Sequence, residues 1–515
     1  MTERSVNPWL ITLAVCLPTF MEVLDTTVAN VALPHMAGSL AASTDEATWV
    51  LTSYLVSNAI ILPAAAWLGR TFGRKRFLMA CIMLFGLSSA VCGAATSLGM
   101  LIVARIFQGL GGGALQPTSQ AILFENFPPE RRGVAAAMYG LAVVVAPIVG
   151  PILGGWITDN YSWRWIFYIN LPIGLLALLL IWAFIYDPPY LAGKKTSLDV
   201  PGLALLALWV SAFQIMLDQG QLLDWFQSPV IVGLALASAV FFIAFVWWEL
   251  RNPTPLVDLT VLRDRNCAAA ALFYGVMGMA LFSTNALLPL YLQGEMGYPA
   301  FQSGLSASPR GLGAFMSMLL VGRLISIIDT RLLVCAGFAL LSAGTFWLGH
   351  LSPEMAMGNV ALPIFVSGWS IGLIFVPLTT LNTSTVPNDK IGAATGITSL
   401  SRNLGGGIGI SIAQAMVARS AQAHQNWLSG DLNNGSAAYR SFVSHTQGYL
   451  STQMDPTLAH AKTMAMAYHS LVSQSALLAY VESFQTLAWV CLFCAPMILF
   501  LRKAKVGAKV DPMAH

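Results

Sequence analysis

"WLITLAVCLPTFMEVLDTTVANVAL", residues 9–33, decides the class of fold. A run of about 20 apolar residues is what a helix needs to cross a bilayer. This run is longer than the core of a cleaved leader and carries two acids, Glu22 and Asp25, so it reads as a retained first span. The rest of the chain has the same character. Of 515 residues, 56% are hydrophobic and only 10% charged, against about 25% charged in soluble domains. The 44 glycines suit close helix packing in lipid.

Fourteen such runs follow one another, at 9–33, 47–67, 77–96, 100–122, 133–157, 163–186, 199–218, 229–249, 267–290, 303–324, 332–351, 359–382, 392–417 and 482–501. Strands show no alternating pattern, and in lipid only a helix satisfies its own backbone, so each run is expected to be a transmembrane helix. The loops on one side, together with both tails, hold 19 of the 26 lysines and arginines, including Arg70, Arg74, Lys75, Arg76, Arg131, Arg132, Lys194, Lys195 and Lys390. By the positive-inside rule that side is cytoplasmic, and so are both termini.

The spans echo one another. "AWLGRTFGRKR" (66–76) after the second span and "VGRLISIIDTR" (321–331) after the tenth both place Gly-Arg before a basic turn. "APIVGPILGG" (146–155) in the fifth and "RNLGGGIGIS" (402–411) in the thirteenth are both glycine-rich. Two related six-helix bundles follow, residues 1–186 and 267–515, separated by an inserted helix pair with its linkers at 187–266. Paired halves of this kind are a common transporter plan. Glycines at 146–155 serve close packing, while Pro147 and Pro151 invite bends, so this span is expected to act as a hinge or seal between the bundles.

Charges inside spans are the expensive residues of this chain. Glu22 and Asp25 are three apart and share a helix face. Each costs about 2.5–3.5 kcal/mol at a helix centre if ionised and unpaired. Desolvation and a like-charged neighbour favour the neutral form of a carboxyl, so such groups are suited to loading and releasing a proton. Alternatively they form a structural pair with an arginine. Arg105 in "LIVARIFQGLGGGALQP" (101–117) is the candidate partner, with Gln108 one turn on. An arginine that approached would favour the ionised carboxyl, and one that withdrew would favour the neutral one. Arg310 ("SPRGLG") and Arg402 ("SLSRNLGGG") are the counterparts in the second half. With Gln108 and Asn30 they are candidates for meeting substrate, or else they satisfy helix ends. Asp218 closes the seventh span and reads as a boundary residue.

Residues 418–481 form the one long polar segment, too long for a plain connection. Helix-like spacing at 457–481 suggests a helical hairpin that docks a partner or lies over the chain's own mouth. The seven cysteines all fall in apolar runs, and the histidine spacing fits no metal motif, so neither a disulfide framework nor a metal or other cofactor is expected. No basic cluster of the size that nucleic-acid binding requires is present. No nucleophile elbow, HExxH or phosphate loop supports an enzyme.

Together, "LDTTVANVALP", "RIFQGLGGGALQP", "APIVGPILGG" and "WRWIFYINLPIG" (163–174) resemble the fourteen-span drug:proton antiporters of the major facilitator superfamily, most closely their EmrB branch in Gram-negative bacteria. The resemblance covers nearly the whole chain. It implies an inner-membrane exporter of lipophilic toxic compounds driven by proton entry. It also implies a periplasmic adaptor and an outer-membrane channel as partners. It maps the family's first-span acid onto Asp25, its fourth-span arginine onto Arg105 and its antiporter motif onto Gly150, Pro151, Gly154 and Gly155. Gly73 and Arg74 keep the loop motif after the second span, but Arg70 stands where that motif has an acid. Glu22 is peculiar to this chain. The alternatives are export of an endogenous lipid-like or siderophore-like metabolite, or a membrane sensor or assembly platform.

Overall fold

The computed structural model describes residues 8–127, 132–187, 199–325, 327–350, 357–384, 386, 390–430, 432–433 and 435–498. The basic residues Arg4, Arg131, Lys194, Lys195 and those of the C-terminal tail lie outside these residues. The described chain is helical, without a strand. In order the helices are α1 (Pro8–Ser39), α2 (Thr44–Ala47), α3 (Trp49–Phe72), α4 (Arg74–Gly93), α5 (Leu98–Gly112), α6 (Leu115–Asn126) and α7 (Arg132–Asn160). Next come α8 (Trp165–Tyr168), α9 (Asn170–Phe184), α10 (Val200–Gly220), α11 (Pro229–Arg251), α12 (Arg265–Gly294) and α13 (Ala300–Ala307). The last are α14 (Pro309–Leu324), α15 (Thr330–Leu348), α16 (Met357–Ser384), α17 (Ile391–Ser429), α18 (Ala437–Ser451) and α19 (Pro456–Met497).

Local chemistry sets these boundaries. Asp199, Asp264, Asp329 and Asp455 each precede a helix and accept hydrogen bonds from its first free amides. Eleven helices among the described residues are long and apolar enough to cross a membrane. The three other expected spans are helical too: 133–157 lies in α7, 303–324 in α13 and α14, and 392–417 in α17. Two of them depart from a long apolar helix for visible reasons. Glycine, serine, threonine and asparagine fill α17, and Pro309, which lacks a backbone donor, begins a new helix where α13 ends.

α1 and α3–α9 form one bundle, in which α1 packs on α7. α12–α17 and α19 form the other, in which α12 packs on α17. The inserted α10–α11 pair lies beside both, with α10 touching α3 and α17. α1 begins and α19 finishes at one end of the molecule, called here the terminal end.

The last expected span, 482–501, is the end of a much longer helix. α17 has 39 residues and α19 has 42, lengths of about 58 and 63 Å at 1.5 Å per residue, against a hydrocarbon layer of about 30 Å. Both therefore project well beyond the membrane at the end opposite the termini. There α18 packs on α19, and His424 and Glu482 pair at 2.8 Å. The polar segment is thus a helical extension of the second bundle.

Candidate functional site

Asp25 lies at the centre of the first bundle and is almost wholly buried. Two helices meet it directly, and two more hold their donors in place. Arg105 on α5 donates from Nη1 to Asp25 Oδ2 at 2.5 Å. Gln108, one turn on, donates to Oδ1 at 2.8 Å, and Asn170 at the start of α9 donates to the same oxygen at 2.7 Å. Ser89 on α4 accepts from both amides, at 3.3 and 3.0 Å. The guanidinium is held as tightly. Its Nε donates to the Val50 carbonyl at 3.0 Å, its Nη1 also donates to Gln108 Oε1 at 2.8 Å, and its plane lies 4.2 Å from the Tyr54 ring centre. A charge pair in this setting is balanced only because its other hydrogen bonds are also made.

Glu22 shares the helix but not the neighbourhood. Its Oε1 accepts from Asn58 Nδ2 on α3 at 3.3 Å, and Asn58 Oδ1 accepts from Asn403 Nδ2 on α17 at 2.8 Å. Glu22 is thus linked through one amide to the other bundle. Its Oε2 is buried with no hydrogen-bond partner among the described residues. Asn30, half-buried further along α1, joins neither cluster.

The glycine-rich stretch of α7 forms a seam. A Cβ on Gly150 would lie 2.1 Å from Thr27 Oγ1, and one on Gly154 would lie 2.8 Å from Val28 Cγ1, both on α1. One on Gly155 would lie 2.3 Å from the Ala300 carbonyl oxygen, in the opposite bundle. From that side, a Cβ on Gly304 would strike the Pro151 carbonyl at 1.9 Å. Asp159 at the end of α7 then accepts from the Ala300 and Phe301 amides at 3.1 and 2.7 Å, capping α13 across the boundary. Gln293 donates to the Val31 carbonyl at 2.8 Å, and Gln414 to Asp45 at 2.9 Å. These cross-bundle bonds lie in the half of the molecule away from the termini, which is therefore the sealed end.

A family model described as Major Facilitator Superfamily matches residues 15–410. The chain belongs to the major facilitator superfamily. It is 40% identical over 463 residues to "Multidrug export protein EmrB" of Haemophilus influenzae, spanning 88% of this chain and 89% of that one. It is 36% identical over 505 residues to "Fatty acid resistance protein FarB" of Neisseria gonorrhoeae, spanning 98% and 96%. Among solved structures, an auto-inhibited POT family peptide transporter covers 97% of this chain and 99% of its own at 14% identity, with a TM-score of 0.65, a likeness of fold. The protein is a multi-pass membrane transporter, not an enzyme.

The second half of the transporter treats charge differently. Arg310 on α14 is buried and donates from Nη1 to Asn285 Oδ1, while its Nε and Nη2 have no partner among the described residues. Arg402 on α17 likewise has an unpartnered, buried Nε. No carboxylate among the described ion pairs meets either one. At the terminal end, Gly73 has φ +86° and a Cβ there would lie 2.4 Å from Asp187 Oδ2. Asp187 also accepts from the Lys75 amide at 2.8 Å. The loop that opens α4 at Arg74 is thus docked on an acid supplied by the end of the sixth span.

One sequence expectation is corrected. Asp218 is not merely a boundary residue: it accepts from Thr52 Oγ1 at 3.0 Å, from Gln214 Nε2 at 2.9 Å and from Ser411. Position at the end of an apolar run looked like an interface marker, and only the approach of α3 and α17 to α10 reveals its neighbours. Asn170, Ser89, Asn58 and Asn403 were not singled out from sequence. Their signal was weak but real, since amide and hydroxyl groups within spans need partners there.

Proposed function

We propose that this transporter exports lipophilic compounds across the bacterial inner membrane in exchange for protons, by alternating access. The supporting observation is the buried Asp25–Arg105 pair, which offers a proton site whose charge balance depends on helix positions. In the state described, Arg105, Gln108 and Asn170 all donate to Asp25, so both carboxylate oxygens are engaged as acceptors. A rearrangement that drew α5 or α9 from α1 would remove donors and let the carboxyl take a proton. Neutral Asp25 would in turn release its hold on Arg105. Proton entry and helix movement are then two sides of one equilibrium.

In this reading the terminal end is cytoplasmic and the sealed end periplasmic. Gly150 and Gly154 let α7 move with α1, while Pro151, Gly155, Gly304 and Asp159 form the seal that must part. The projecting extension, with Trp427, Tyr449 and Tyr468 exposed, is where a periplasmic adaptor leading to an outer-membrane channel would dock. Relatives named as multidrug export proteins support drug efflux. A second reading, export of a lipid-like compound with an anionic head, has its own support. Arg310 and Arg402 hold buried donors without partners, and a relative of nearly equal length is named for fatty acid resistance.

Purified transporter in vesicles with an imposed pH gradient is the test. Wild type should move a lipophilic dye only while the gradient lasts, and Asp25→Asn should not. Equal transport by Asp25→Asn at every pH would remove Asp25 from the coupling step. Dodecanoate competing with the dye in wild type, but not in Arg310→Gln, would favour the second reading. Crosslinks from 430–470 that stay within the chain would remove the adaptor role.

A further inference from the structure

The inserted pair has so far no part in transport, yet one of its residues touches both bundles. Asp218 lies on the last turn of α10. Thr52, on α3 of the first bundle, donates to its Oδ2 at 3.0 Å. Ser411, on α17 of the second bundle, donates to its Oδ1. Gln214, one turn back on α10, donates to that same oxygen at 2.9 Å and to Ser411 at 2.6 Å. α17 comes this close because Gly407 carries no side chain: a Cβ there would lie 2.9 Å from Gln214 Oε1. A single carboxylate thus gathers the first bundle, the insert and the second bundle at the sealed end.

The acid also borders a small cleft. A cleft at the sealed end is lined by Asp45, Thr48, Asp218, Gln221, Ser411 and Gln414, and Leu222 at its rim is exposed. Of the elements around Asp218, α2 contributes the titratable Asp45, α3 and α17 contribute hydroxyl and amide groups, and α10 contributes Gln214. Asp45 is itself held to the second bundle by Gln414 at 2.9 Å. No lysine, arginine or histidine lines this cleft.

We propose that Asp218 is a positioning residue for transport: a clasp by which the insert holds the sealed end shut, released when a proton enters from that side. The chemistry is direct. An ionised carboxylate accepts at both oxygens, and its bonds to hydroxyl and amide donors are charge-assisted, about twice as strong as neutral ones. A proton on either oxygen replaces an acceptor site with a donor and weakens the grip on Thr52 and Ser411 together. The seal would then loosen on the side where protons are plentiful, before Asp25 is reached. This rests on the alternating-access reading above.

The test uses the full-length transporter in lipid nanodiscs, with spin labels on unnatural keto residues at Tyr161 and Trp427, one exposed position on each bundle beyond the seal. In wild type, lowering the pH from about 8 to about 5, across the range where a buried carboxyl titrates, should move population to a longer distance. Asp218→Asn should show the long-distance population at both pH values, raised about fivefold at the higher one, the scale of trading charge-assisted for neutral hydrogen bonds. Thr52→Val and Ser411→Ala, which keep the acid, should each give a smaller rise. An unchanged distance distribution in all three variants overturns the clasp. A wild type that ignores pH while Asp218→Asn opens overturns its release by protons. Failure of the efflux reading registers separately, as gradient-driven dye transport that survives Asp25→Asn.

Discussion

The two bundles share a packing device and differ in their charge. In the first, α7 lies on α1 through Gly150 and Gly154; in the second, α17 lies on α12 through Gly405 and Gly409. A Cβ on Gly405 would stand 2.1 Å from the Gly275 carbonyl, as close as the one on Gly150 stands to Thr27. Inside these similar frames the first bundle buries an acid with its arginine, and the second buries Arg310 and Arg402 with donors to spare. A duplicated frame has thus been filled in two ways. The first half pairs its arginine directly with an acid of its own, whereas in the second Arg402 feels only the more distant Glu22 carboxyl across the boundary and Arg310 meets no described acid. Under the proposed function this divides the labour, with proton handling in one half and contact with cargo in the other.

The largest expected effect breaks the closed charge pair. Asp25→Asn leaves the Arg105 guanidinium buried without its anion, and losing one member of such a pair costs about 3–5 kcal/mol. Thermal unfolding in detergent should fall clearly, and gradient-driven transport should vanish. Adding Arg105→Gln removes the stranded charge, so the double variant should recover most of the stability and none of the transport. Recovery of both would mean that the pair is structural, and the contrast between the halves would lose its functional meaning.

The glycine frames can be separated next. Gly405→Ala pushes a methyl into the Gly275 backbone within one bundle, and overpacking of this kind costs about 1–3 kcal/mol. Gly155→Ala meets the Ala300 backbone across the seam, so the bundles can part instead of straining. The expected outcome is lower thermal stability for Gly405→Ala. For Gly155→Ala, it is near-normal stability with faster labelling of a cysteine placed at Phe301. Equal stability loss in both would show that the seam is as rigid as a bundle interior.

How much of this was legible from the chain follows from the cost of each feature. Apolar runs announce helices because lipid permits little else. Arg105 announced an acid of the first span as its partner, because each charge is expensive alone, but Glu22 and Asp25 stood equal until the packed helices chose Asp25. Asn58, Asn170 and Asn403 carry no such premium and are ordinary until the helices that surround them are known. Asp218 was misread for the same reason: its position along α10 was visible, but the donors come from residues 52 and 411, far away in sequence. The difference in surroundings between Glu22 and Asp25 was hidden as well. Three residues apart on one face, they turn by less than a quarter of a helical turn, and that is enough to place one inside a bundle and the other beside the boundary.

Glu22 is therefore a smaller but sharper probe of the same contrast. Glu22→Gln keeps an oxygen for Asn58 and trades the acid for an amide, with Arg402 acting on it only at a distance, so stability should change by less than about 1 kcal/mol. If Glu22 takes part in proton handling through the boundary, the pH profile of transport should shift, and Asn403→Leu should shift it the same way. An unchanged profile in both would leave Glu22 as a structural acceptor and confine proton handling to Asp25.

The smallest effect lies where a second-half cation does have an acid. Lys390, at the start of α17, pairs with Asp258 of the insert's linker at 3.1 Å and donates to Thr260 at 2.8 Å. Burial pushes the Asp258 carboxyl up, but hydrogen bonds from Thr260 and Lys390 outweigh it and hold the group below its usual value. A depressed carboxyl contributes stability above the unfolded value, near 3.9, and loses it as pH falls through the folded one. Because the Lys390 side chain is 40% exposed, solvent screens the pair and its worth is about 0–1 kcal/mol. Lys390→Ala should therefore lower stability slightly at neutral pH and in low salt, and the difference should shrink in high salt and below about pH 4. A loss as large as that of Asp25→Asn would mean that the linker, rather than the bundle interior, carries the charge balance of the second half.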